Sequence, residues 1–535
     1  MSAPDARPLR RTSDDPPTRS TSRRLTPPTR SESRPLTPPS GSTSRPLTDP
    51  RHVVALTLWL ALVLLAAHHA HAAAVAPSTL AALLALAFVP YAPLALARRD
   101  LPLALLVALP LGVGVLFALA PVALSDDLFR FLWDARVTAH GLDPYAHAPS
   151  DPALASLRDV HHASINHPDI PTIYPPGAQL LFLAAELFGH HPRSPRLLAL
   201  AGHLVVGFVL RRRGPSGSAT AWLLNPLALS ESALGGHVDV FVGLAILASG
   251  LAFVRHPLRA VVFALAALAV KLVGALLLPL ALRDRRAFAL GVLLALALVF
   301  PLTRAGYASE AVGGFGHYAR RWGGNAGVHL ALERGLHSIL ETFEHEPGRL
   351  RLAFARPLLL RVEGTALDPH ASFTPEKKPL HDVAFFETHV ASALLARALA
   401  AFFVFALALV LGRRVTRGNF DPAEAARLVV LAALLLAPQI HPWYLLWLLP
   451  LDLALGRHAV LVWSALVLGA YAPLDAWWTE RLWHEPLGFG VLQHVVVLAV
   501  LVAERRRDGR GTGRNTHETS GGTLPYTDEL SPRRV

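Results

Sequence analysis

The chain has 535 residues, of which 52% are hydrophobic and 16% charged, whereas an ordinary soluble protein carries about 25% charged residues. Long segments without Asp, Glu, Lys or Arg exclude a chain of soluble domains, and the absence of Cys excludes disulfides and thiol chemistry. The net charge of +12 lies mainly in two polar tails and in short Arg-rich loops, which excludes nucleic acid as the partner and fits the positive-inside rule of membrane proteins.

The first 51 residues are rich in Ser, Thr, Pro and Arg and carry an imperfect repeat, with copies that begin at Ser22, Ser33 and Ser44. A Pro-rich segment with few apolar residues cannot bury enough surface to offset the entropy that ordering costs. We therefore predict a disordered cytoplasmic tail at residues 1–51, although the repeated Leu-Thr-Pro unit could also dock on a partner. The polar, Gly-rich residues 504–535 predict a second disordered cytoplasmic tail.

Between the tails, residues 52–503 consist mostly of apolar segments and predict one membrane domain. About 20 uncharged residues span a hydrocarbon core of about 30 Å, and residues 53–76, 78–97 and 101–124 meet that requirement. We therefore predict an all-α polytopic membrane protein with about 11–13 transmembrane helices.

Arg-rich loops are retained on the cytoplasmic side of membranes, and this rule orients the predicted helices. It places residues 125–171 and the long loop 304–389 on the outer side. It also requires an odd number of crossings in residues 172–210, so one apolar segment there is predicted to be re-entrant or to lie on the surface. Residues 258–282 also lie between two Arg-rich loops, so this segment must return to the side on which it began. A short hairpin around Lys271 would achieve this.

The first outer loop opens with two adjacent acids, Asp126 and Asp127, that directly follow an uncharged segment. A helical pattern continues from them and places Asp127, Arg130 and Asp134 on one face. A carboxylate at the water–membrane boundary can act as a general base on a hydroxyl group, and two adjacent carboxylates raise each other's pKa, which favours such a base. The alternative is that the acids cap the helix and pair with Arg130. The apolar face, predicted to lie on the membrane surface, comprises Leu128, Phe131, Leu132 and Trp133.

Other polar or aromatic residues occur where the predicted outer ends of apolar segments meet the loops. Their chemistry suits a sugar or a phosphate, so we predict that they bind substrate. They are Arg130, Trp133, Asp134, Tyr145, Asn166, His167, Tyr174, Gln179, Glu231, His237, Asp239, Asn325, His441 and Tyr444. Glu231 lies in an otherwise apolar segment, where a charge indicates function unless it only pairs with Arg or His. The structural alternatives are a buried core histidine for His441 and an aromatic belt for Tyr444.

Basic residues form a second group of candidates. Lys271 and Arg397 lie inside apolar segments, and snorkelling of their side chains to the lipid headgroups is the alternative. In the long outer loop, Arg320, Arg321 and Trp322 add cationic and aromatic groups. We predict that at least one of the four cations contacts a lipid-carrier phosphate, because an unpaired phosphate near the bilayer is costly.

The motifs of several other enzyme classes are absent. The sequence contains no Walker A loop, no Rossmann fingerprint, and no H-E-x-x-H or G-x-S-x-G motif. The histidine pairs His161–His162 and His190–His191 lack the spacing of metal ligands. We therefore predict no dedicated metal site and no required cofactor.

Five motifs follow one another along the chain: S-D-D-x-x-R-F-x-W-D-A-R-V…G-L-D-P-Y, I-N-H-P-x-I-P-T-I-Y-P-P-x-A-Q, N-P…E…G-H-x-D, W-x-x-N and H-P-W-Y-x-x-W. With them, residues 53–503 resemble bacterial integral-membrane glycosyltransferases of the GT-C superfamily, and most of all the polyprenyl-phosphate-mannose-dependent mannosyltransferases. One departure is Gly323-Gly324, because relatives often carry an aromatic residue beside the Asn of W-x-x-N.

The resemblance implies an inverting glycosyltransferase of the bacterial cytoplasmic membrane, with a GT-C-like helix arrangement and an active site that faces outward. A sugar, with mannose favoured, would move from a polyprenyl-phosphate donor to a hydroxyl of a glycan or glycolipid. The partners are then membrane lipid, donor and acceptor. The acid of the first outer loop, here Asp126 or Asp127, would be the general base. Many relatives with monophosphate donors need no metal, although some GT-C enzymes use a divalent cation.

Two other functions remain as alternatives. A transporter or lipid-linked-sugar flippase without catalysis should show inverted repeats and broken helices that meet at mid-membrane. The sequence shows no such symmetry, and its acids gather at the predicted outer face. A degenerate GT-C protein could act as an assembly partner, but the intact Asp126-Asp127 pair argues against it.

Overall fold

The computed structural model describes residues 49–72, 75–97, 99–253, 255–303, 323–344, 383–480 and 487–514. Within these ranges the chain is all helical and has no strand, which confirms the predicted fold class. An isolated bridge between Gly324 and Gln439 joins two loops. The N-terminal repeat and the candidate residues Arg320, Arg321 and Trp322 lie outside the described residues.

The α-helices before residue 300 are α1 (Pro50–Ala70), α2 (Pro77–Leu86), α3 (Phe88–Ala95), α4 (Leu103–Leu119), α5 (Asp127–Ala139), α6 (Pro176–Ala185), α7 (Arg193–Arg213), α8 (Ser218–Leu223), α9 (Pro226–Ala233), α10 (Asp239–Ala252), α11 (Pro257–Val270) and α12 (Arg285–Val299). Proline occupies the first turn of α1, α2, α6, α9 and α11. Its ring fixes φ near the helical value, and the first turn does not need its missing N–H.

The later α-helices are α13 (Gly327–Glu344), α14 (Val383–Thr416), α15 (Pro422–Leu435), α16 (Leu449–Ala454), α17 (Ala459–Leu466), α18 (Leu474–Glu480) and α19 (Leu487–Arg514). Short 3-10 helices lie between several α-helices in both parts of the chain. They are Pro152–Leu157, His162–Ser164, Glu186–Phe188, Leu272–Ala281, Phe300–Thr303, Pro442–Trp447 and Val467–Tyr471.

Seven helical segments of the described chain are long and apolar enough to cross a membrane. They are Pro50–Ala70, Pro77–Ala95, Arg193–Arg213, Arg285–Leu302, Ala391–Thr416, Ala459–Trp477 and Gly488–Asp508. Shorter apolar helices are Leu103–Leu119, Pro176–Phe188, Asp239–Ala252, Pro257–Val270 and Leu272–Ala281. The chain is therefore a multi-pass membrane protein. The predicted total of about 11–13 crossings requires that most of the shorter helices also cross.

Loops with Arg-rich sequences meet at one end of the helix bundle, here called the Arg211 end. Asp100 Oδ2 lies 3.7 Å from Arg211 Nη1, which joins the loop before α4 to the end of α7. Pro215 lies beside Gly456. Loops that follow α3, α7 and α16 therefore lie on the same side of the bundle.

A buried ion-pair network stabilises the Arg211 end. Arg427 in α15 donates hydrogen bonds to both carboxylate oxygens of Glu424 (2.9 Å each) and to Asp452 Oδ1 (3.1 Å). Arg457 pairs with Asp508 near the end of α19 at 2.7 Å. Arg427 and Asp452 are both buried, so each charge depends on its partner, and their hydrogen bond joins α15 to α16.

The opposite end of the bundle, here called the Asp127 end, contains the first outer loop. Arg196, a buried residue of α7, donates hydrogen bonds to the carbonyls of Ala118, Ala120 and Pro121 at the end of α4. The last carbonyls of a helix have no partner within that helix. Arg196 therefore satisfies them and fixes the path of the chain from α4 into α5.

The chain folds back on itself at Lys271, as predicted. Lys271 is extended between α11 and the 3-10 helix Leu272–Ala281. Gly274 then lies directly against the backbone of Ala264 and Leu268, where a Cβ atom would clash. This close contact confirms the predicted hairpin and leaves Lys271 at its tip.

The two apolar segments of residues 172–210 differ in length. α6 and the following 3-10 helix reach only from Pro176 to Phe188, whereas α7 is a full-length candidate span. α6 is therefore the segment that suits the predicted re-entrant position.

The apolar face of α5 packs inside the protein, so the prediction that it lies on the membrane surface was wrong. Leu128 and Phe131 belong to the main core, and Trp133 belongs to a small separate core with Val137. The neighbouring Leu132 is also buried. The sequence pattern distinguishes an apolar face from a polar one, but it cannot distinguish lipid from the α6 and α7 side chains that cover it.

Candidate active site

The predicted acid pair lies in a hydrogen-bonded cluster at the start of α5. Asn166 Nδ2 donates to Asp126 Oδ1 at 2.8 Å and to Asp127 Oδ1 at 2.9 Å. The Tyr174 hydroxyl donates to Asp127 Oδ2 at 3.3 Å. Arg130 pairs with Asp134 rather than with Asp127. The acids are half-buried and sit beside the residues described below.

Electrostatic surroundings keep Asp127 ionised. Burial acts to raise the pKa of Asp127, but His237, the Asn166 amide, His441 and Lys271 act to lower it, and the pKa lies below its ordinary value. The increase predicted for one of the two adjacent acids does not occur at Asp127, because hydrogen-bond donors and basic side chains around it outweigh burial, and for the pair it stays a prediction. A carboxylate in this environment is a permanently available proton acceptor at neutral pH.

Lys271 lies between two aromatic rings and one acid. Its ammonium group is 4.9 Å from the ring centre of Tyr174 and 5.8 Å from that of Tyr444. Asp239 Oδ1 is 3.9 Å away and accepts a hydrogen bond from Trp447 Nε1 at 2.6 Å. The distance of 3.9 Å is too long for a hydrogen bond. Within the described part of the chain, the ammonium protons of Lys271 thus remain available for an anionic ligand.

A stack of three parallel rings lines the site. His237 stacks on one face of Trp443 with ring centres 3.9 Å apart, and His441 stacks on the other face at 4.3 Å. Gln439 Nε2 donates to His441 Nε2 at 2.7 Å. The stack holds two imidazole rings that both act to lower the pKa of Asp127.

Close backbone packing brings these elements together. A Cβ atom on Gly177, at the start of α6, would lie 2.7 Å from the Cβ and carbonyl oxygen of Ala269. Only glycine therefore lets α6, which follows Tyr174, approach the hairpin that carries Lys271. Gly243 in α10 similarly contacts the backbone of Leu446, which holds Trp447 near the start of α10.

Three predicted substrate-binding residues form a buried network further along α5 from the acid pair. Arg130 Nε donates to Asp134 Oδ1 at 2.9 Å, and Gln179 Nε2 donates to Asp134 Oδ2 at 3.1 Å. Thr172, which no sequence pattern indicated, donates its hydroxyl to the same oxygen. All four side chains are buried. Their contacts join α5 to α6, so they support the site from behind.

Glu231 lies directly behind His237. Its Oε1 accepts a hydrogen bond from the Tyr471 hydroxyl at 2.7 Å, and its Oε2 lies 3.5 Å from His237 Nε2. Both Glu231 and His237 are about 1% exposed. Glu231 therefore contacts the site through His237. No sequence pattern indicated Tyr471, because it lies in an apolar segment more than 200 residues later.

Asn325 and Arg397 occupy the neighbouring part of the Asp127 end. Asn325 Nδ2 donates to the carbonyl of Ile440 at 3.1 Å, and its side-chain oxygen accepts from Gln493. Arg397 Nη1 donates to the carbonyl of Ala393 at 3.1 Å. Asn325 therefore joins its loop to the loop of His441 and to α19. Gln493 was not anticipated, since one amide in an apolar helix has no distinctive pattern.

Three further candidates lie at the edge of the site. The Tyr145 hydroxyl donates to the carbonyl of Tyr174 at 2.8 Å, which fixes the backbone of that residue. His167 is exposed and follows Asn166. Trp133 packs in the small core and does not line the site. Trp443 and Trp447 do line it, although the sequence pattern attributed aromatic residues of this segment to a membrane belt.

The described residues contain no group of three or more His, Asp or Glu side chains arranged to hold a metal ion. The expectation that no cofactor is required remains a prediction.

Residues 48–283, a little under half of the chain, match the family model described as "Alpha-(1->6)-mannopyranosyltransferase, N-terminal domain". This family is a GT-C mannosyltransferase family, so the match confirms the predicted resemblance. It supports a membrane-embedded glycosyltransferase. The matched segment contains Asp127, Asn166, Tyr174, His237 and Lys271, whereas Trp443 lies outside it. No curated protein and no solved structure matches the chain.

Proposed function

Because residues 48–283 match the N-terminal domain of a mannosyltransferase family, we propose that this chain transfers mannose from a polyprenyl-phosphate donor to a hydroxyl of a glycan or glycolipid. One observation carries the proposal: the Asp127 carboxylate and the Lys271 ammonium group converge on one site, at the end of the bundle opposite the Arg-rich loops. A proton acceptor and a phosphate-binding cation are the two groups that this reaction requires.

Asp127 is the general base in this proposal. Its ionised carboxylate takes the proton of the acceptor hydroxyl as that oxygen attacks the anomeric carbon of the donor sugar. Asp127 is proposed as the base because Tyr174, whose hydroxyl donates to Asp127 Oδ2, also contacts Lys271 through its ring and so brings the carboxylate and the ammonium group to one site. Lys271 would also be adjacent to the leaving phosphate.

Lys271 binds the leaving phosphate in this proposal. The bond between the anomeric carbon and the phosphate oxygen breaks as the new glycosidic bond forms, and the negative charge that remains on the polyprenyl phosphate is neutralised by the ammonium group. The Tyr174 and Tyr444 rings hold Lys271 by cation–π contacts without using its protons.

The reaction inverts the anomeric carbon. Attack and departure occur on opposite faces of the sugar, so no covalent intermediate with the enzyme forms, and a β-linked donor gives an α-linked product. The description of the matched family favours an α-(1→6) linkage. The active site faces outward because the Arg211 end, with its Arg-rich loops, remains in the cytoplasm.

The test uses full-length protein in detergent or nanodiscs, polyprenyl-phosphate-mannose as the donor probe and octyl α-mannoside as the acceptor probe. We expect Asp127→Asn to remain folded and to bind donor, but to lose turnover by about 10²- to 10⁴-fold, because the amide retains the shape of Asp and lacks its basicity. Asp169→Asn is the matched control, since Asp169 is an exposed acid of the same loop.

Two outcomes would contradict the proposal. Near-normal turnover in both Asp126→Asn and Asp127→Asn would contradict a role of this acid pair as the general base. Absence of mannosyl transfer by the wild-type protein, with donor still bound and moved across the membrane, would instead favour a flippase.

A further inference from the structure

One amide group bridges the two acids of the site. The two hydrogen bonds from Asn166 Nδ2, of 2.8 and 2.9 Å, end on different carboxylates. An amide NH2 group has two protons, so each carboxylate receives one. Two adjacent carboxylates would otherwise repel each other, and one would tend to take up a proton.

The loop that carries Asn166 is also anchored to α5 by apolar contacts. Ile165 is buried in the small core with Trp133, Val137 and Leu154. This core fixes the residue immediately before Asn166 against the helix that begins with Asp127. The amide is therefore held in place by packing as well as by its own hydrogen bonds.

The backbone next to Asn166 is strained. His167 has a φ of +47°, a left-handed conformation that costs free energy for a residue with a side chain. Such conformations persist where the surrounding structure enforces them, and they are concentrated at functional sites. The turn at His167 directs the chain away after it has placed the Asn166 amide over the acids.

We propose that Asn166 is a positioning residue that holds Asp126 and Asp127 together as two ionised carboxylates, and so keeps Asp127 ready to accept a proton. This inference rests on the proposed role of Asp127. It assigns Asn166 to the acids, whereas the sequence pattern predicted contact with substrate.

Other charged or polar groups also face Asp127. They are His237 before α10, Asp239 at the start of α10, His441 in the loop after α15, Lys271 at the hairpin tip, Tyr174 before α6, His167, and the neighbouring Asp126. Burial of Asp127 opposes ionisation, and the three basic residues and the Asn166 amide favour it. Loss of the amide should therefore raise the pKa of Asp127 without removing its charge at neutral pH.

The experiment measures kcat/KM from pH 2.5 to pH 7 for the wild type, Asn166→Ala and Asn166→Asp, with the same donor and acceptor probes. We expect the acid limb of the profile to move upward by about one pH unit in Asn166→Ala. Asn166→Asp should move it further, because a third carboxylate replaces the bridging donor. Asn419→Ala is the matched control, since Asn419 is exposed between α14 and α15, and its acid limb should coincide with that of the wild type.

The outcomes separate this inference from the proposed function. If Asp127→Asn is inactive but both Asn166 variants keep the wild-type acid limb, Asn166 only shapes its loop and the inference is wrong. If Asp127→Asn retains turnover, the proposed base itself is wrong. Should Asn166→Ala fail to fold, the isosteric Asn166→Asp decides, and an unshifted acid limb in that variant overturns the inference.

Discussion

The role of each residue in the site depends more on the side chains that it contacts than on its amino-acid type. Lys271 and Arg397 look alike in the sequence, since each is a cation in an apolar segment. In the structure, Lys271 lies between Tyr174 and Tyr444, whereas Arg397 donates to a carbonyl of its own helix. The two cations are therefore expected to contribute differently to donor binding.

We predict that Lys271→Gln weakens binding of polyprenyl-phosphate-mannose by roughly 10- to 100-fold, because a charge-assisted hydrogen bond to phosphate is lost. Donor affinity can be measured by displacement of a labelled donor in detergent. Arg255→Gln serves as the control, because Arg255 is exposed in a loop before α11. Wild-type donor affinity in Lys271→Gln would remove this residue from the phosphate site.

At the scale of helices, small residues decide which elements can meet. The helix contacts of a membrane protein depend on close packing, since lipid is as apolar as a leucine side chain. Gly177 allows α6 to contact the end of α11, and Gly243 allows α10 to contact the loop of Trp443. The site is assembled from segments that are far apart in the chain, so it depends on these close contacts between helices.

We predict that Gly177→Ala lowers activity by roughly tenfold or more and destabilises the protein by about 1–3 kcal/mol, the usual cost of overpacking. The added Cβ would clash with Ala269 and separate Tyr174 from Lys271. Gly112→Ala in α4 is the matched control, because no atom lies within 4 Å of its Cβ position. Thermal unfolding and turnover would be measured together, and equal behaviour of the two variants would contradict the packing argument.

At the scale of the whole molecule, charge is distributed between two ends. The Arg211 end contains the Arg-rich loops and the buried network around Arg427, whereas the Asp127 end contains the acid pair. The positive-inside rule then assigns the Arg211 end to the cytoplasm. Under the proposed function, this assignment gives the site access to a donor in the outer leaflet and to the acceptor.

We predict that a single cysteine at Val160, which is 86% exposed in the first outer loop, reacts with a membrane-impermeant thiol reagent in intact cells. Arg213→Cys, at the end of α7, should react only after permeabilisation. Because the chain has no native cysteine, neither labelling measurement has a background signal from other residues. The reverse pattern would invert the topology and move the site to the cytoplasmic side.

The sequence by itself determined the membrane class, the helical fold, the acid pair and the residue types of the site, because hydropathy, charge and local spacing are properties of short segments. It also predicted the hairpin at Lys271, since charge-based topology required one. Only the tertiary structure decided that the apolar face of α5 packs on protein, that Asn166 bridges both acids, and that Trp443 separates two histidines. These features depend on contacts between residues tens to hundreds of positions apart, and no local pattern specifies which partner a buried side chain meets.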